Sequence, residues 1–146
     1  ILMAVSRDAE QIAECGQRIL GVRAGFEGEY QIPDYVGPLK EISRSVTDLF
    51  DLTRRAFNHG DTTAGRQARA ISAAIDSRCD FLAGLMLRQA DALTTGEVVS
   101  HGLVCRHLSQ VAVCLGDIAV STDVSLESFG FQDEYNEHAG PGESQD

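Results

Sequence analysis

The chain lacks tryptophan, holds a single lysine and three prolines, and has no cysteine pair of the C-x-x-C form. Each shortage excludes something. Aromatics make up only 6% of residues, which argues against a β-sandwich, whose strands favour aromatic and β-branched side chains. No unbroken apolar run approaches the roughly 18 residues of a membrane span, so none is expected. The apolar start Ile1–Val5 is cut short by Arg7, Asp8 and Glu10, and no signal peptide is read there. The four cysteines, Cys15, Cys79, Cys105 and Cys114, are neither dense nor paired in spacing. A reduced, cytoplasmic protein is the expectation.

Positive charge is scarce as well. Lys40 stands alone beside 11 arginines, against 22 acidic residues, for a net charge of −10. Such a chain does not attract nucleic acid through a general electrostatic footprint, nor an anionic membrane surface. Acidic excess with almost no lysine resembles the composition of proteins from salt-loving microbes, where screening weakens self-repulsion. Motifs of turnover are missing too. There is no G-x-S-x-G, P-loop or G-x-G-x-x-G, so an enzyme is not expected.

What is present is helical periodicity. At 146 residues and 15.7 kDa, with 43% hydrophobic residues, the chain is one domain or a part of a larger one. Four segments repeat apolar residues at steps of three and four. The first, about 2–22, presents Val5, Ala9, Ile12, Gly16 and Ile19. The second, about 35–58, presents Leu39, Ile42, Val46, Leu49, Thr53 and Ala56, with Phe50 and Phe57 widening the face and Pro38 in the first turn. The third, about 62–93, presents Ala64, Ala68, Ile71, Ile75, Cys79, Leu82 and Met86. The fourth, about 97–124, turns Val104, Leu108, Val111, Leu115 and Ile118 inward. Gly60 supplies a left-handed stop, and Asp61 or Thr62 a cap for the third helix. Short connections favour antiparallel neighbours. The expected fold is all-α, an antiparallel up-down helical bundle over 1–125. An acidic, partly disordered tail follows over 126–146, with Phe129, Phe131 and Tyr135 pinning its first half.

Carboxylates spaced four apart are the chemical candidates: Glu10 and Glu14 on the first helix, Asp76 and Asp80 on the third. That spacing puts both groups of a pair on one helical face. They form either a solvated acidic surface or hard oxygen ligands for a cation. His101 and Cys105 share the same spacing, but a structural zinc site needs four ligands, and Cys105 and Cys114 read as small buried hydrophobes. Arg54-Arg55 meets the negative end of the second helix. No Glu-x-x-His supports a ferritin-like di-iron site.

The run Ala70–Asp80 resembles the D-x-x-x-D motif carried by the middle helix of the PhoU family, the phosphate-uptake regulators. The run Val111–Ser121, centred on Gly116-Asp117, resembles the motif on that family's third helix, and Asp8–Glu14 is similar to the same motif from a preceding repeat. The resemblance spans most of 1–125. It implies one whole three-helix repeat, preceded by the last helix of another, as the C-terminal part of a repeat protein. It further implies metal ligands Asp76, Asp80 and Asp117 in this repeat, and Glu10 and Glu14 in the earlier one, for Fe, Zn, Mn or Mg. Val113 stands where the family has an acidic residue, so one ligand is lost. The implied function is regulation of phosphate uptake by docking to a phosphate transporter or sensor kinase, as a homodimer, without membrane insertion or nucleic-acid contact through this segment. The alternative is a cytosolic regulatory module of a cation channel or anion transporter.

Overall fold

The computed structural model describes residues 2–26, 33–89 and 93–137. Within these, the side chains at 33, 34 and 122–137 are not described. Four helices account for the architecture: α1 Leu2–Gly25, α2 Pro33–His59, α3 Thr62–Arg88 and α4 Thr95–Glu137. The fold is an all-α antiparallel bundle, and no strand occurs among the described residues.

Long-range partners fix the directions. Gly65 of α3 lies against Ala119 of α4, and Ser72 against Gly116, so these helices run antiparallel. Ala56 of α2 lies beside Gly65 of α3, and Glu41 pairs with Arg78 at 3.2 Å, so these two helices are antiparallel as well. Thr53 Oγ1 of α2 donates to the Leu115 carbonyl of α4 at 3.3 Å. α2, α3 and α4 therefore form a closed up-down-up unit, and α1 packs chiefly on α4. α4 touches all three other helices.

That central position explains the character of α4. Thr95–Ser121 is apolar enough on average, with mean hydropathy 1.4, to pass as a membrane span by length and composition, although it contains no unbroken apolar run. A helix enclosed by three neighbours buries more than one stripe, and apolarity spreads around it. Leu108, Val111, Ala112, Leu115 and Ala119 of α4 join Ile42, Leu49, Ile75 and Met86 in one core.

The α3 start is capped as expected. Gly60 adopts φ 61°, and the Asp61 carboxylate accepts from Ala64 N at 2.9 Å. The α4 start carries a reciprocal cap. Thr94 Oγ1 accepts from Glu97 N at 3.2 Å, and the Glu97 carboxylate accepts from Thr94 N at 2.9 Å. This is the T-x-x-E capping box, and it explains why Glu97 is buried.

Several expectations are corrected. Ala9 is exposed and Gly16 only half-buried; α1 instead buries Asp8 and Cys15. Phe50 and Phe57 do not widen the α2 core face but point outward. Ile71 is exposed, and its neighbour Ser72 is buried in its place. Pro38 sits inside α2, because Pro33 opens that helix. The apolar pattern of α4 dissolves after 125, yet the helix continues to Glu137. The pinning role read for Phe129, Phe131 and Tyr135 lies outside the described side chains.

Candidate functional site

The carboxylates of α3 and α4 lie along one helix–helix seam. Asp76 is half-buried and accepts a hydrogen bond from Ser109 Oγ of α4. Asp80, one turn on, is exposed and lines a cavity of about 220 Å³ with Cys79, Gly102, Cys105, Arg106 and Ser109. Asp117 pairs with Arg69 of α3. Arg69 lies eleven residues before Asp80, roughly 16 Å along the axis at 1.5 Å per residue. Asp117 therefore neutralises an arginine at one end of the seam while Asp80 stands near the other.

The α1 carboxylates are elsewhere. Glu14 accepts from Arg18 Nη2 at 2.5 Å on an exposed surface, and Glu10 is exposed. The α1 carboxylate that faces inward is Asp8, beside Cys114, and its Oδ1 lies 3.9 Å from Arg7 Nε. Periodicity alone favoured Ala9 over Asp8; the four-residue spacing drew attention to Glu10 and Glu14 and passed over it.

Among the described residues, no three His, Cys, Asp or Glu side chains come together where an ion could be held. The cysteines beside Asp76 and Asp80 are held protonated. Burial pushes the Cys79 thiol up to about 12, with Cys105, Asp76 and Asp80 adding to the shift. Burial alone lifts Cys105 to about 11. Protonated, buried thiols are poor nucleophiles. Among the described residues these donors are not gathered into one site. His101 is buried with Nδ1 at 2.9 Å from the Glu97 carbonyl. A carbonyl only accepts, so Nδ1 carries the proton. No zinc pair with Cys105 forms part of any three-residue cluster.

No protein-family model, curated protein or solved structure matches this chain. The reading of the site therefore rests on its own geometry.

A second feature lies on another face of α4. α1, α2 and α4 leave an apolar groove of about 290 Å³ between them, walled by Ile19, Val36, Leu39, Val104 and Leu108. Its titratable lining groups are Arg23, Lys40 and His101. Outside the groove, Phe81 and Leu87 of α3 stand 66% and 70% exposed. Side chains this open contribute little to the core.

Proposed function

We propose that this chain is a regulatory module of phosphate uptake, of the kind the PhoU resemblance implies, and that it acts by docking rather than by turnover. The observation that carries the reading is the meeting of the two family-like runs. Residues 70–80 and 111–121 lie against each other at Ser72–Gly116, with Asp76–Ser109 and Arg69–Asp117 flanking that contact. The partner is a phosphate transporter's cytosolic subunit or a sensor kinase. The outward Phe81 and Leu87 side chains supply an apolar contact for it. The proposal invokes no resident metal, because the carboxylates are spread along the seam and over α1.

The test is surface-immobilised binding of the transporter's ATPase subunit and of the kinase's cytosolic portion, with and without inorganic phosphate. One of the two is expected to bind, with an affinity that changes with phosphate. The Phe81→Asp/Leu87→Asp variant should bind at least tenfold more weakly while keeping its unfolding midpoint. If neither protein binds, or phosphate has no effect, the reading fails.

A further inference from the structure

We propose that the groove between α1, α2 and α4 binds a small amphiphilic anion: a carboxylate with a single short hydrocarbon tail. The walls are aliphatic, from Ile19, Leu39, Val104 and Leu108. Its volume of about 290 Å³ is close to the lower end of small-molecule sites, roughly 300–1,000 Å³. The α4 wall runs from His101 to Leu108, about 10 Å at 1.5 Å per residue. That length takes one short acyl chain, and a volume of about 290 Å³ leaves no room for a two-chain lipid.

Charge decides the head group. Acidic residues outnumber Lys and Arg by 22 to 12 in this chain, yet among the described residues no carboxylate lines the groove. The titratable groups among its described lining residues are Arg23, Lys40 and His101. Lys40 is the sole lysine. It is exposed at the rim and makes no ion pair among the described residues. An ammonium beside an apolar slot favours an anion whose tail fills the slot. Ser43, also at the lining, offers a hydroxyl to the same head group. His101 is buried and fixed by the Glu97 carbonyl, which gives that wall a defined shape. Neither the proposed docking partner nor Phe81 and Leu87 enters this inference, so it stands or falls separately.

The probes are octanoate, octan-1-ol and octylamine at pH 7 and fixed salt, followed by calorimetric titration of the full chain. Octanoate is expected to bind at least fivefold more tightly than octan-1-ol, and octylamine more weakly than both. Lys40→Glu should weaken octanoate at least fivefold and Lys40→Arg should restore it. Val104→Phe, which fills the groove, should abolish binding, with the unfolding midpoint checked to show that each variant is folded. Absence of octanoate binding overturns the proposal. So does equal binding of the alcohol, or octanoate binding unchanged in folded Lys40→Glu or Val104→Phe.

Discussion

A β-carbon placed on Gly116 would stand 2.8 Å from Oγ of Ser72 and 2.9 Å from its Cβ. A second close approach lies further along the same crossing, where a β-carbon on Gly65 would meet the Ala119 carbonyl oxygen at 2.9 Å. The two glycines let α3 and α4 pack with small residues between them, Ala64, Ala68, Ala112 and Ala119 all being buried. Ser72 can be buried on α3 because nothing larger than glycine faces it.

Glycine-to-alanine changes therefore separate by position. In an open helix Ala is favoured over Gly by about 1 kcal/mol, and Gly16→Ala, with nothing within 4 Å of the new carbon, should stabilise the fold by up to that amount. Overpacking costs about 1–3 kcal/mol, so Gly65→Ala should destabilise despite the propensity gain. It meets backbone, which cannot rotate away. Gly116→Ala should cost less, since the obstacle is the Ser72 side chain, and Ser72→Gly in the same chain should relieve it. Urea unfolding of the four variants checks the order; a stabilised Gly65→Ala contradicts the close crossing.

The Arg69–Asp117 pair predicts a small effect and an absent one. Its side chains are 59% and 46% exposed, and exposed ion pairs contribute about 0–1 kcal/mol. Asp117→Asn should lower stability by less than about 1 kcal/mol. Because Arg69 already neutralises Asp117 and Ser109 already donates to Asp76, Fe, Mn, Zn or Mg should not raise the unfolding midpoint of the isolated chain. A cation binding only the folded state at a hundredfold excess over Kd would add about 2.7 kcal/mol. Such a rise, lost in Asp76→Ala/Asp80→Ala, would instead mark a site on α3.

Much of this fold is legible in the sequence, and the exceptions have physical causes. In α2 one stripe is apolar and the rest polar, so Ile42, Val46, Leu49, Thr53 and Ala56 are all buried as read. α1 carries small or apolar residues on two sides, and periodicity cannot choose between Ala9–Gly16 and Asp8–Cys15. Burial of Ser72 over Ile71 depends on Gly116, 44 residues away, and no local pattern reports it. The carboxylate pairs are visible as spacings. Their partners are not, because Arg69 meets Asp117 across 48 residues and Ser109 meets Asp76 across 33.

The charge balance predicts a salt response. A net charge of −10 repels itself in the folded state, and the screening length falls from about 10 Å at 0.1 M salt to about 3 Å at 1 M. The unfolding midpoint should rise by at least about 3 °C between these concentrations of KCl, the size of a gain near 1 kcal/mol. The triple change Glu10→Gln/Asp48→Asn/Asp80→Asn removes three exposed carboxylates and should reduce that response. An undiminished response in the variant would assign the effect to the salt itself rather than to charge repulsion.

Alkaline pH tests the buried thiols. Cys79 and Cys105 are 2% and 1% exposed, and burial holds them up to about 12 and about 11, against an ordinary 9.0. Above pH 9 the unfolded chain sheds these protons while the folded chain keeps them, so the folded state binds more protons and stability falls as pH rises. The stabilising contribution is complete below pH 9 and is lost progressively up to about 11 for Cys105 and about 12 for Cys79. At pH 10 each thiol should contribute a loss of about 1.4 kcal/mol, roughly 3 kcal/mol for the two. Urea unfolding at pH 7.5 and pH 10 measures it. In Cys79→Ala/Cys105→Ala both values fall because cavities open in the core, but the difference between the two pH values should shrink by roughly 3 kcal/mol. Tyrosine and Lys40 ionisation is common to both chains and cancels in that comparison. An unchanged difference would mean that the two thiols ionise in the folded chain as readily as in the unfolded one, and would overturn the account in which burial keeps them protonated.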